Sequence, residues 1–165
     1  MRVLTVFESI QQEYTDRFRR EHQLRIKTGI HLGASVVKLL KDDWTLDDHH
    51  VLPATAGVFF SLWVDLAGSN RRTVMYNIHA FKLARLGDRK IKARAFANDF
   101  RKRAAKLIAA WPAVSTDHGP LTLMQGGFPL REQQLRQDCL DRMTAFTELC
   151  PTIDALLAPH LSALH

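Results

Sequence analysis

The chain has 165 residues, of which 46% are hydrophobic and 24% are charged, and its formal net charge at pH 7 is +6. This composition is typical of a globular protein and excludes a fibrous or disordered one. No apolar run approaches the roughly 18 residues that a membrane helix needs, and Glu8 interrupts the first apolar stretch too early for a secretory signal. We therefore expect a cytoplasmic protein without membrane contact that folds as a single domain over residues 1–165.

The positive charge is concentrated in one part of the chain. Residues 71–106 contain twelve lysines and arginines and two aspartates, a local net charge of +10, whereas the rest of the chain carries −4. Such a field attracts polyanions and acidic surfaces. It makes the segment a candidate binding surface.

The N-terminal 40 residues show helical periodicity. Residues 5–25 are predicted to form an amphipathic helix with a capping box of Thr5 and Glu8 and an apolar stripe that includes Phe7 and Ile10. Apolar residues at helical spacing from Ile26 to Leu40 predict a second helical segment, which either continues the first helix or follows a break near Gly29.

Residues 41–56 are predicted to form a loop. It contains Asp42, Asp43 and the run Asp47-Asp48-His49-His50, whose side chains are of the types that bind divalent metals. Because adjacent residues rarely converge on one ion and no H-E-x-x-H motif is present, we expect a solvated acidic loop, with no metal and no cofactor.

Two alternating segments predict an antiparallel hairpin in the middle of the chain. In about 58–66 the residues Val58, Phe60 and Leu62 share one face, and 73–83 alternates in the same way after a polar turn at 67–72. A helix over 73–86 is the alternative, because its apolar residues also fit a period of 3.6; the β-branched and aromatic content favours the strand.

The second half of the chain predicts three helices and one strand. A basic helix extends over 90–111 and ends at Pro112, a short strand over 121–125 joins the hairpin, and helices follow over 131–149 and 153–164. The predicted fold class is α+β, with a small antiparallel sheet, the hairpin plus a third short strand, packed between N-terminal and C-terminal helices. Cys139 and Cys150, eleven residues apart in a helical segment, are expected to be buried or semi-buried free thiols.

The hairpin face opposite the core is a candidate ligand site. It would carry Trp63, Asp65, Asn77 and His79, with Tyr76 or Lys82 at its margins, and an aromatic beside hydrogen-bonding groups is a common way to hold a small ligand. Alternatively, a helix packs on this face and leaves these side chains as satisfied buried groups. For catalysis the available acids or bases are His79, His118 and Asp117, with Tyr76 or Ser61 as a partner, and the sequence assigns a catalytic role to none of them.

No motif of a known family or chemistry is present, so the sequence supports only a general function. We expect a binding protein whose basic helix contacts an acidic protein partner or another anionic ligand. The alternatives are nucleic-acid binding and a small enzyme with a histidine-based site on the sheet face. The expected anion-binding residues are Arg71, Arg72, Arg94, Arg101, Lys102 and Lys106.

Overall fold

A computed structural model of the chain describes residues 2–46, 52, 56–86 and 91–161. In these residues five antiparallel strands form one sheet, and each strand pairs with its neighbour in the sequence. The strands are β1 (Arg25–His31), β2 (Ala34–Leu40), β3 (Gly57–Val64), β4 (Thr73–Phe81) and β5 (Thr122–Pro129). The α+β class is confirmed, and the sheet is larger than the three strands predicted.

Helices lie before, within and after this sheet. Among the described residues they are α1 (Val3–His22), α2 (Leu66–Arg71), α3 (Ala93–Arg103), α4 (Ala105–Ala109), α5 (Leu135–Thr147) and α6 (Cys150–Leu161). Two single 3₁₀ turns, Asp42–Trp44 and Leu83–Arg85, follow β2 and β4. None of the described helices is long and apolar enough to cross a membrane.

The helix predicted for residues 26–40 is wrong, because this segment is the β1–β2 hairpin. Ile26 pairs with Leu39 and Thr28 with Val37. Leu32 and Gly33 make the turn with φ angles of 49° and 78°, the left-handed conformation of a tight hairpin. The apolar residues of this segment fit both the helical period and the strand period. The segment forms strands because pairing of β2 with β3 buries Val37 and Leu39 in the core.

Other elements also differ from the prediction in their bounds or type. Helix α1 begins at Val3 after Arg2, without a side-chain cap, so the Thr5 capping box does not form. The polar turn between β3 and β4 is the short helix α2, and the basic helix is divided at Ala104 into α3 and α4. The strand prediction for 73–83 is confirmed by β4, which excludes a helix there.

The core lies between one face of the sheet and the helices. Strands β3 and β4 alternate as predicted, so that Phe60 and Tyr76 are fully buried. Phe60 stacks on Phe146 of α5 with ring centroids 4.7 Å apart, and Trp111 packs 5.0 Å from Tyr76. This aromatic group joins the sheet to the C-terminal helices and leaves the opposite face of the sheet for other contacts.

The structure confirms that Cys139 and Cys150 are buried free thiols. Burial raises the pKa of each thiol to about 12. Both side chains therefore belong to the core.

Candidate functional site

A row of polar residues crosses the middle of the sheet. Lys38 of β2 pairs with Ser61 of β3, Ser61 pairs with Asn77 of β4, and Asn77 pairs with Gln125 of β5. Alternation with the core residues directs the row to the face away from the aromatic core. The first three are only 4%, 6% and 4% exposed. Buried polar residues are uncommon and need hydrogen-bond partners, which distinguishes this row from polar side chains in contact with solvent.

A cavity of about 700 Å³ lies above this row; we call it the sheet-face cavity. Its described lining comes from strands and connecting segments and is mainly apolar. The lining residues are His31, Leu32, Ala34, Val36, Lys38, Leu52, Phe59, Ser61, Trp63, Asp65, Asn77, His79, Phe81, Leu121 and Thr122.

Aromatic contacts organise one side of the cavity. The ring of Phe59 lies 5.3 Å from the ring of His79, edge to face. The ammonium group of Lys38 sits 4.1 Å from the centroid of Phe59, a cation–π contact, and donates a hydrogen bond to the carbonyl oxygen of Leu52. Leu52 therefore lies beside the sheet face. Its contact with the ammonium group keeps Lys38 next to the ring of Phe59.

His79 is held by three neighbours. Its Nε2 lies 2.9 Å from Nδ2 of Asn77, and its Nδ1 lies 3.2 Å from both the Leu121 carbonyl oxygen and the Thr122 hydroxyl. Since the Asn77 amide donates, Nε2 accepts, and Nδ1 carries the proton that it donates to Leu121. Burial lowers the pKa of His79. The hydrogen bond to the Leu121 carbonyl raises this pKa in part, and the positive charge of Lys38 lowers it further. The imidazole is therefore neutral at neutral pH.

Two hydrogen-bonding positions on the cavity floor are unused. Oδ1 of Asn77 is buried and has no hydrogen-bond partner among the described residues. The hydroxyl of Ser61, directly across the β3–β4 pair, forms none there either. Unpaired buried polar atoms are rare in folded proteins, so Asn77 Oδ1, beside Ser61, marks the part of the cavity that is suited to a polar ligand group.

The structure brings most of the predicted ligand-site residues together. Trp63, Asp65, Asn77 and His79 line the cavity. Asp65 also caps α2, because its Oδ1 accepts a 2.6 Å hydrogen bond from the Gly68 amide. Tyr76 lies on the opposite face, where its hydroxyl donates to the Pro112 carbonyl at 2.8 Å.

The residue predicted at the margin of the ligand site and the candidate acids and bases lie in different parts of the structure. Lys82 is exposed after β4, with its ammonium 5.1 Å from the Phe81 ring centroid. His118 lines a second, more open cavity of about 600 Å³, whereas His79 lines the first. Asp117 is exposed; burial lowers the pKa of Arg101, and the negative charge of Asp117 opposes this only in part. Of the catalytic candidates, His118 therefore lines a different cavity from His79, whereas Ser61, a proposed partner, lines the same cavity as His79.

The expected anion-binding residues fall into three groups. Arg94, Lys102 and Lys106 are exposed on α3 and α4. Arg71 and Arg72 line the second cavity, where Arg72 lies 3.9 Å from Glu132. Arg101 differs from the others because its guanidinium donates to the carbonyl oxygens of Gly119, Thr122 and Leu123, at 2.6, 2.9 and 3.0 Å. This side chain anchors the start of β5.

Lys38 and Thr122 line the cavity and were not among the predicted site residues. Because residues 26–40 were interpreted as a helix, Lys38 was not predicted to be a site residue. The alternation of Val37, Leu39 and their neighbours is the sequence pattern that could have identified it. Thr122 reaches His79 because the register of β4 and β5 shifts between Ile78 and His79. A shift of this kind has no sequence signal.

The acidic run Asp47 to His50 lies outside the described residues. In the described part of the chain, no group of three or more metal-ligating side chains is close enough to hold an ion. Asp42 of the predicted loop pairs with Arg25 at 2.5 Å.

No protein-family model matches the chain, and neither a curated protein nor a solved structure is significantly similar to it.

Proposed function

We propose that this protein binds a small, mainly apolar molecule in the sheet-face cavity. The observation that carries this proposal is the unpaired Oδ1 of Asn77 in the buried polar row beneath apolar walls. Ligand sites usually combine hydrophobic and aromatic walls with a few polar groups that fix orientation. The cavity volume of about 700 Å³ also lies within the roughly 300–1,000 Å³ range of such sites.

The walls favour a flat ligand. Phe59 and Trp63 are two strand positions of β3 that lie on the same face, on either side of Ser61. An aromatic molecule placed above Ser61 would contact both rings and bury most of its surface. The hydrophobic effect, at about 25 cal/mol per Å² of apolar surface, would supply most of its affinity.

A two-dimensional amide NMR titration with indole tests this function. Indole is expected to shift the signals of Phe59, Ser61, Trp63 and Asn77 in a saturable way. The variant Val36→Trp fills part of the cavity and should weaken binding at least about tenfold. Thr144→Trp adds the same side chain to an exposed position of α5 and should leave binding unchanged. Absence of saturable shifts in the wild-type protein would reject the function.

A second candidate function is binding of a polyanion by the basic surface, which we define as Arg94, Lys102, Arg103 and Lys106. All four are exposed on α3 and α4, and within the described residues none forms an ion pair. Unpaired cations on one surface attract an acidic protein or the phosphates of nucleic acid. This is the specific observation that favours the second function.

Fluorescence anisotropy at low salt tests the basic surface with three probes: single-stranded DNA, duplex DNA and polyglutamate. Replacing Lys102, Arg103 and Lys106 by Ala should reduce the logarithmic salt slope for single-stranded DNA by about 2, because roughly 0.7 of a unit is lost per phosphate contact. The control replaces Arg17, Arg19 and Arg20 of α1, which removes the same charge elsewhere. Equal effects of the two triple variants would reject a specific surface.

We also propose that the protein works in the cytoplasm. The two free, buried thiols support a reducing compartment, where disulfides are rare.

A further inference from the structure

The unused hydrogen-bonding positions on the cavity floor are complementary in kind. Oδ1 of Asn77 accepts hydrogen bonds, and the hydroxyl of Ser61 both donates and accepts them. The two residues are direct partners across β3 and β4, and side chains in such positions have Cβ atoms about 4.5–5.5 Å apart. One small polar group can therefore lie between them and contact both.

The ligand group that fits this position must donate to Asn77 and can accept from Ser61. A hydroxyl does both, whereas an ether oxygen only accepts. A carboxylate only accepts and would face the carbonyl oxygen of Asn77 with its negative charge. An ammonium group would add a positive charge to the row that already contains Lys38. A neutral hydroxyl therefore satisfies both positions, whereas a neutral N–H group would donate to Asn77 without accepting from Ser61.

We propose that the cavity selects a hydroxylated aromatic molecule, of the phenol class, whose O–H donates to Asn77 Oδ1 and accepts from the Ser61 hydroxyl. This inference rests on the proposed ligand-binding function and specifies its ligand. The ring packs against Phe59 and Trp63. Since Oδ1 is buried, the ligand contacts it after a small rotation of the Asn77 amide about its terminal torsion, which is a soft degree of freedom.

Selectivity follows from the cost of leaving a buried acceptor unpaired. A net hydrogen bond tightens binding by about threefold to tenfold, and a ligand without a donor gains none of this at Asn77. The hydroxylated member of a matched pair is therefore expected to bind about threefold to tenfold more tightly than its methyl ether. Both members gain the same contacts with the aromatic walls.

The test compares p-cresol with 4-methylanisole in amide NMR titrations at about pH 7.5, where a phenol is neutral. Wild-type protein should bind p-cresol about threefold to tenfold more tightly. Asn77→Leu should reduce this ratio toward one, and Asn77→Ala, which removes the same acceptor with a smaller side chain, keeps the test valid if Asn77→Leu does not fold. Ser61→Ala should weaken both probes and leave the ratio unchanged, because both oxygens can accept from the Ser61 hydroxyl. The control Ser35→Ala, in neighbouring β2 and outside the cavity lining, should retain the wild-type ratio.

The outcomes separate this inference from the function on which it rests. If neither probe shifts the signals of cavity residues, small-ligand binding itself fails. If both bind with equal affinity, the cavity binds apolar molecules and only hydroxyl selection is overturned. A preference for p-cresol that persists unchanged in the Asn77 variants would also overturn it, because the selection would then arise elsewhere.

Discussion

The side-chain amide of Asn77 lies 2.9 Å from Nε2 of His79, its neighbour two residues further along β4. Residues two apart on a strand point to the same face, so the two side chains form one unit on the cavity floor. Asn77 donates to His79, and His79 in turn donates to the Leu121 carbonyl. Both imidazole nitrogens are occupied, which fixes the ring orientation and makes His79 a structural part of the floor.

Protonation of His79 should destabilise the fold. Burial lowers its pKa below the ordinary value of 6.5, so the unfolded chain takes up the proton at higher pH than the folded chain. The contribution of this group to the free energy of unfolding is complete above about pH 6.5 and is lost as the pH falls through 6.5 toward the lower folded value. Urea unfolding at pH 8 and pH 5 measures the loss, which should be larger in wild-type protein than in His79→Gln.

A matched comparison isolates this effect from other titrating groups. His118→Gln removes an exposed histidine and should leave the pH dependence close to that of wild-type protein. A long-range ¹H–¹⁵N spectrum at neutral pH should show the tautomer protonated at Nδ1. Finding the Nε2-protonated tautomer would contradict the orientation assigned to the Asn77 amide.

Arg101 is expected to contribute to stability more than to anion binding. Arg101→Ala removes three hydrogen bonds to the start of β5 and should lower the free energy of unfolding by about 1–3 kcal/mol, measured by urea unfolding. Lys102→Ala, at the adjacent exposed position, should change it by less than about 0.5 kcal/mol. Equal values for the two variants would show that the guanidinium does not anchor β5.

Gly126 should not accept a side chain. A Cβ at this position would clash with the Tyr76 hydroxyl oxygen and would lie 2.8 Å from the Ala113 carbonyl oxygen. Gly126→Ala is therefore expected to lower the free energy of unfolding by about 2 kcal/mol, through overpacking. Tyr76→Phe alone should cost about 1 kcal/mol, because the Pro112 carbonyl loses its donor.

The double variant checks the cause of the Gly126 effect. Because Tyr76→Phe removes one of the clashing atoms, Gly126→Ala with Tyr76→Phe should lose less stability than the two single variants together. Thermal or urea unfolding of the four proteins gives the coupling energy. Strict additivity would mean that Gly126 and Tyr76 do not meet.

Cys139 and Cys150 should react slowly in the folded protein. Burial raises both thiol pKa values to about 12, so very little thiolate forms at pH 8. Iodoacetamide labelling followed by mass spectrometry should be at least about 100-fold slower in native protein than in urea. Similar rates in the two conditions would place the thiols at the surface instead of in the core.

The sequence correctly predicted those strands whose residue pattern favours one type of secondary structure. Strands β3 and β4 show alternation with β-branched and aromatic residues, and they pair as the predicted hairpin. Their alternation also placed Trp63, Asn77 and His79 on one face, where all three line the cavity. Tyr76 was added to this group from proximity alone, and alternation directs it to the core.

Other elements depended on partners that the local sequence does not specify. Residues 26–40 fit a helical period, yet pairing with β3 makes them strands and brings Lys38 to the cavity floor. Likewise the basic segment was predicted from composition, while only the structure shows that Arg101 is bound to backbone carbonyls and that Lys102 is exposed.

The sequence by itself determined the α+β class, the central hairpin and the concentration of positive charge, because alternation and composition are local properties. The tertiary structure decided the number of strands, the register that aligns Lys38, Ser61 and Asn77, and the loop contact that holds His79. Register and contact depend on residues distant in the chain, and one step of register reverses the face of every side chain in a strand. The candidate site is therefore a product of strand pairing.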